Sequence, residues 1–171
     1  MVGFVILAMV SPRPSYPPLL WNASPSVPVG LYLFVLKAPV PGELAVIRLP
    51  DTVRTLAAVH GYLAPSALLV KPVAASPGDR VCRHRATVTI NGRAVAQART
   101  ADESGRLLPG WSGCITLVPE QVFVLSAEPG SFDGRYFGPL DRVHVLGSAH
   151  AVWVTKVDGH PTVPLRQRGP P

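Results

Sequence analysis

A mainly β domain of short antiparallel strands with one short helix is the fold class this chain predicts, and three features lead there. Twenty prolines and fifteen glycines are spread along the sequence rather than clustered, which opposes long helices and favours strands punctuated by turns. Short apolar and β-branched runs recur between these breakers, the pattern of half-buried or buried strands. Ala86 to Ala98 reads ATVTI-NG-RAVAQA, alternating residues around Asn91-Gly92, the pair a type I′ hairpin turn favours. At 171 residues and 18.2 kDa the chain has room for one domain with a real core and not for two.

Taken in order, Val2 to Val10 (VGFVILAMV) is apolar but about half the length a bilayer crossing needs. No basic start and no small-x-small cleavage site precede Pro12 and Pro14, so a secretory signal peptide does not fit. The segment reads as the end of a membrane anchor whose true start lies upstream of Met1, with a short buried strand or interfacial segment as the alternative. Ser11 to Pro28, carrying Pro12, Pro14, Pro17, Pro18 and Pro25, is expected to be an extended, irregular linker. Residues 1–20 are thus partial anchor and linker, 21–160 the folded domain, and 161–171 a flexible tail.

Leu31 to Leu36 and Leu44 to Leu49 are β-rich runs separated by Pro39-Val-Pro-Gly42, consistent with adjacent strands. Asp51 to Leu63 is the one helical stretch, with Asp51 as cap and Val53, Leu56, Ala57 and His60 at near-helical spacing. Leu68 to Val73 reads as a buried strand interrupted by a lysine, and Ser76-Pro-Gly-Asp79 as a turn. Ile115 to Val118, Val122 to Ser126, Val143 to Leu146 and Ala151 to Val157 supply further strands.

Hydrophobic residues make up 47% of the chain and charged residues 15%, which excludes a disordered polymer. The net charge of +6 and pI near 9.9 invite a nucleic-acid reading, but the thirteen arginines are scattered and form no basic stripe interleaved with aromatics. No nucleic-acid partner is therefore expected; attraction to anionic inner-membrane lipid uses the same charge. The two cysteines, Cys82 and Cys114, have no second pair with which to build a four-ligand metal site. A single disulfide formed in an oxidising compartment is the leading reading, and two buried thiols the alternative.

Three segments carry candidate chemistry. In Asn22-Ala-Ser24-Pro-Ser26-Val-Pro28-Val-Gly30-Leu-Tyr32 a serine among prolines has its backbone held before substrate arrives. Lys71 has the most continuous apolar neighbours of the three lysines. Burial there would lower its pKa and make a neutral amine available as a base, unless its head reaches water. In Gly130-Ser131-Phe-Asp133-Gly-Arg135-Tyr-Phe-Gly138 an Asp and an Arg two apart on a strand would share a face and pair, with Ser131 beside them; a purely structural ion pair is the plainer reading.

Together these segments resemble the ordered boxes of type I signal peptidases. Ser26 with Pro28 and Gly30-Leu-Tyr comes first, then Lys71 followed by Pro77-Gly78-Asp79, then Asn91-Gly92, then Ser131-x-Asp133-x-Arg135-Tyr-x-Gly138. The Asn-x-Ser-x-Ser-x-Pro-x-Gly-Leu-Tyr form, the two cysteines and Phe132 to Pro139 are more similar to the conjugative-transfer branch. Val27 stands where the general processing enzymes have methionine, and proline follows Ser26 by two positions rather than three.

The resemblance implies a signal-peptidase-like fold and a Ser/Lys dyad: Ser26 as nucleophile and Lys71 as general base. It also implies an oxyanion hole from the Ser26 N–H and the Ser24 hydroxyl, Ser131 orienting Lys71, and Asp133 with Arg135 bracing the site. No cofactor and no metal are called for. The five histidines, His60, His84, His144, His150 and His160, fit no position of that pattern and read as structural or surface residues. The implied substrate is an exported preprotein or propilin with small residues before the cut, bound as an added β-strand at the periplasmic face of a bacterial inner membrane. A scaffold protein of a conjugation apparatus that kept the fold and lost the reaction is the alternative.

Overall fold

The computed structural model describes residues 16–64 and 66–155. The apolar segment Val2 to Val10, the tail 161–171 and the end of the strand expected at Ala151 to Val157 lie outside them. Two antiparallel sheets carry the fold. The larger begins with β1 (Leu19–Asn22), β2 (Gly30–Val35), β3 (Leu44–Ile47) and β4 (Leu69–Ala75) and is completed by β9 (Gln121–Val124), β10 (Leu140–Asp141) and β11 (Val145–Val154). Its seven strands run in the order β1-β2-β11-β3-β4-β9-β10. The smaller holds β5 (Arg80–His84), β6 (Thr87–Ile90), β7 (Arg93–Gln97) and β8 (Gly113–Thr116), in the order β7-β6-β5-β8.

The predicted mainly β class and the Asn91-Gly92 hairpin both hold. Asn91 and Gly92 take φ of 50° and 80°, the doubly positive pair a type I′ turn requires. The Asn91 side chain accepts from the Arg80 N–H and donates to Asp79, so the same residue ties the hairpin to the turn before β5.

Period-two alternation distributes the core. On β9, Val122 and Val124 enter one apolar cluster with Ile47, Leu69 and Val73, while Phe123 enters a second with Val81, Val88 and Leu117. The continuous apolar run on β4 is explained by a strand flanked by β3 and β9 and buried along nearly its whole length. On the β4 face that carries Leu69 and Val73, the residue between them is Lys71. It is 2% exposed.

Several expectations are corrected. Leu19–Asn22, expected within an irregular linker, is an edge strand paired to β2; Pro17 and Pro18 do not obstruct it because they precede the strand, and Pro18 offers its carbonyl to the Phe34 N–H. The helix, α1, runs Asp51–Val59, shorter than expected. Its N-cap is Pro50 and makes no side-chain cap bond, while Asp51 pairs with Arg54 instead. The two last strands expected at Val143 to Leu146 and Ala151 to Val157 are one strand, β11, preceded by a 3-10 turn at Arg142–His144. Gly134–Phe137 forms a helical turn, α2, rather than part of a strand, because Asp133 caps it by accepting from the Arg135 N–H.

Cys82 and Cys114 face each other across the β5–β8 pair and form a disulfide. Closing a separation of 32 residues restricts the unfolded chain by about 3–4 kcal/mol in the chain-entropy description. Protein isolated from an oxidising compartment is expected to show the bridged mass without reductant, and reduction should lower its denaturation midpoint. Recovery of both cysteines as alkylated free thiols would refute the bridge. Among the described residues no helix is long and apolar enough to cross a membrane.

Candidate active site

Three segments distant in sequence meet at Lys71. The β4 strand delivers its amine, the turn after β1 delivers Ser26, and the loop before α2 delivers Ser131. Lys71 Nζ lies 2.5 Å from Ser26 Oγ and 2.7 Å from Ser131 Oγ, and the two hydroxyls are 3.1 Å apart. The three groups form a closed triangle of hydrogen-bonding atoms. Both partners of the amine are neutral hydroxyls, and among the described residues no carboxylate forms a salt bridge with it.

That environment sets the protonation state. Burial pushes the Lys71 pKa down from 10.5 to about 8; the charge of Asp133 opposes the shift and that of Arg135 adds to it. Desolvation dominates, the first of the ways an ionisable group is tuned. A neutral Lys71 retains two N–H donors and one lone pair. One donor to Ser131 leaves the lone pair free to accept from the Ser26 hydroxyl.

Asp133 and Arg135 form a buried ion pair beside this triangle, with Arg135 Nε 2.8 Å from Asp133 Oδ1. They meet through the cap of α2 rather than across a strand face. Asp133 also accepts from the N–H groups of Ser126 and Arg135, and the guanidinium donates onward to the carbonyls of Pro129 and Ser126. Asp133→Ala would strand a buried guanidinium, so it is expected to cost about 3–5 kcal/mol, read as a lowered urea midpoint. An unchanged midpoint would mean the pair is dispensable. Gly134 is required here for packing, since a Cβ would lie 2.6 Å from the Val124 carbonyl oxygen.

Sequence reasoning missed Ser126 and the reach of Asn22. Ser126 is buried, its hydroxyl donates to the Ser26 carbonyl at 2.5 Å, and its own backbone binds both Asp133 and Arg135. It therefore couples the ion pair to the main chain of Ser26 across 100 residues. A serine at a strand end carries no signal for that. Asn22, 7% exposed, donates through Nδ2 to the carbonyls of Ser24, Val27 and Pro28. Its Oδ1 accepts from the Ser24 N–H and hydroxyl. Tyr32 adds a bond to the Pro28 carbonyl. Gly30, with φ of 156°, runs so close to β11 that a Cβ would lie 2.2 Å from the Trp153 carbonyl oxygen. The residue choices of the first segment thus have local causes: Asn22 and Tyr32 pin the turn, and Gly30 lets it dock.

The triangle opens into a cleft of about 520 Å³. Leu63, Leu69, Leu108 and Phe132 contribute apolar wall. One side is closed by the segment from Arg99 to Leu108, folded on itself by the Ala101–Leu107 bridge. Tyr62 donates to Asp102 at 2.7 Å, and Arg106 binds both Asp102 and the His60 carbonyl. The hydrogen bond from Tyr62 and those from Arg106 hold the Asp102 carboxyl well below the usual range. This latch fastens the segment to the end of α1, and His60 enters it as a structural residue through its contact with Tyr62.

The site thus sets a hydroxyl-bearing turn against a desolvated lysine on an antiparallel scaffold. The sequence pattern described as "Signal peptidase, peptidase S26" matches residues 1–154, and the chain belongs to that family. It is 36% identical over 137 residues to a plasmid transfer protein TraF of Escherichia coli, covering 73% of this chain and 77% of that one. A conjugal transfer protein TraF of Agrobacterium tumefaciens is 36% identical over 144 residues, covering 77% and 80%. A solved signal peptidase I of Enterococcus faecalis aligns with 67% of this chain and 98% of its own at 19% identity and a TM-score of 0.38.

Proposed function

We propose that this protein is a membrane-associated serine endopeptidase that cleaves a signal or propeptide from an exported protein of a conjugation apparatus, a pilin subunit being the leading substrate. The reading rests above all on Ser26 Oγ lying 2.5 Å from Lys71 Nζ. Neutral Lys71 accepts the Ser26 proton as Oγ attacks the scissile carbonyl. The resulting oxyanion is met by the Ser26 N–H and the Ser24 hydroxyl. Collapse expels the leaving amine, which takes its proton from the Lys71 ammonium, and leaves an ester on Ser26. Water, deprotonated by the same amine, then releases the acid; a substrate amine in that place would give a cyclic or transpeptidated product. Ser131 holds the Lys71 head in line throughout, the orienting role of a third group in triad logic. Ser126, through the Ser26 carbonyl, fixes the nucleophile's backbone. The catalytic face works in the periplasm, with bilayer lipid and the preprotein as partners, in keeping with the disulfide.

The pH dependence tests the base. Lys71 must be neutral to act, so kcat/KM is expected to rise with pH and level off above about 8, the folded pKa. Between pH 6 and 8 the neutral fraction grows by about 50-fold, and acylation should follow it. A profile flat across that interval, or one with its midpoint at the ordinary lysine value, would overturn Lys71 as a desolvated base.

A further inference from the structure

The Ser24 hydroxyl has one proton, and in the resting protein it is already committed. Asn22 decides this. Its Nδ2 faces the carbonyls of Ser24, Val27 and Pro28 at 2.7, 3.0 and 3.2 Å, three acceptors that only an amide NH₂ satisfies, so the amide cannot be turned over. Oδ1 therefore points at Ser24, where it accepts from the backbone N–H at 3.3 Å and from Oγ at 3.1 Å. Oδ1 has no hydrogen to give, which makes Ser24 Oγ the donor.

We infer that Asn22 is a positioning residue that holds the Ser24 proton in the resting enzyme and releases it to the oxyanion as substrate reacts, so that this half of the oxyanion hole is assembled during the reaction rather than before it. The inference rests on the oxyanion role proposed for Ser24 above. An amide oxygen is a neutral acceptor and an oxyanion is a charged one. Hydrogen bonds to charged acceptors are about twice as strong, so the proton moves to the oxyanion when charge develops there and stays on Asn22 when a neutral carbonyl occupies the same place. The exchange thus favours the transition state over bound substrate, which is the condition for raising kcat rather than merely lowering KM. The same amide keeps the turn in shape through its two N–H donors, shared among three carbonyls, so the clamp remains while the hydroxyl turns.

The two duties of Asn22 separate in a pair of variants. Asn22→Ala and Asn22→Asp both lose the amide NH₂ that faces the three carbonyls. Only Asn22→Asp, at neutral pH, presents a charged acceptor that competes with the oxyanion for the Ser24 proton. Single-turnover acylation at equal folded concentration, judged by circular dichroism, is expected to be about tenfold slower for Asn22→Asp than for Asn22→Ala. In a Ser24→Ala background that ratio should fall to about one, because no hydroxyl proton remains to be withheld. A residue acting only as a clamp gives equal rates for the two variants in both backgrounds, and simple repulsion of the oxyanion by the carboxylate gives the same ratio in both; either result overturns the inference. If Ser24→Ala alone is as fast as the unaltered protein, the oxyanion role of Ser24 falls first, and the Asn22 inference with it.

A second measurement uses the unaltered protein, should the Asn22 variants not fold. In a crystal structure of a tetrahedral peptide boronate adduct on Ser26, Ser24 Oγ is expected within hydrogen-bond distance of an adduct oxygen. Ser24 Oγ seated on Asn22 Oδ1 with no contact to the adduct would overturn the proposal.

Discussion

Ser26→Ala and Lys71→Ala are each expected to abolish cleavage of a peptide spanning a processing site, and the double variant to be no worse than either. In the proposed mechanism the two groups act as one unit: the hydroxyl is a poor nucleophile without the amine 2.5 Å away, and the amine has no other proton to take from the attacking group. Members of such a unit lose activity together rather than additively. Binding of the peptide should persist in both variants, because the cleft wall of Leu63, Leu69, Leu108 and Phe132 is untouched. Lys71→Ala does leave a buried hole beside Ser131, so the comparison belongs at equal folded concentration. Two losses that add would mean that Ser26 and Lys71 act in separate steps.

Ser24→Ala carries the second largest effect. It keeps the nucleophile and the base and removes one donor to the oxyanion, so a reduction of roughly 10²–10³ in the acylation rate is expected, with KM little changed. The contrast with Ser26→Ala assigns the two serines. Should Ser24→Ala be inert to acylation while Ser26→Ala still forms an ester, the roles are reversed and the register of the first segment shifts by two residues.

Much of this site is legible in the sequence because its chemistry is carried by residue types in a fixed order along the chain. The apolar neighbours of Lys71 single it out but leave open a lysine whose head reaches water; β4 buries it. Two cysteines make a disulfide the leading reading while leaving two buried thiols open, and the structure pairs Cys82 with Cys114. The misreadings have physical causes. Val143 to Leu146 and Ala151 to Val157 read as two strands, but Gly147 between them is a point of close approach, where a Cβ would lie 2.4 Å from the Val35 carbonyl oxygen, and β11 continues through it. Alternation would set Asp133 and Arg135 on one strand face; instead the Asp133 cap on the Arg135 N–H turns the chain into α2 and makes the same ion pair by a different route. Ser126 and the Asn22 network are not legible at all. Their importance lies in partners brought to them by the fold, and a serine or an asparagine next to a turn is ordinary in sequence.

The central claim, that Ser26 is the nucleophile and Lys71 its base, is tested most directly by locating the covalent intermediate. The protein is treated with a serine-directed acylating peptide reagent near pH 8, digested, and mapped by mass spectrometry alongside Ser26→Ala and Lys71→Ala. The mechanism predicts a single adduct on Ser26 in the unaltered protein and none in either variant. An adduct on Ser24 or Ser131, or one that forms undiminished in Lys71→Ala, would contradict it.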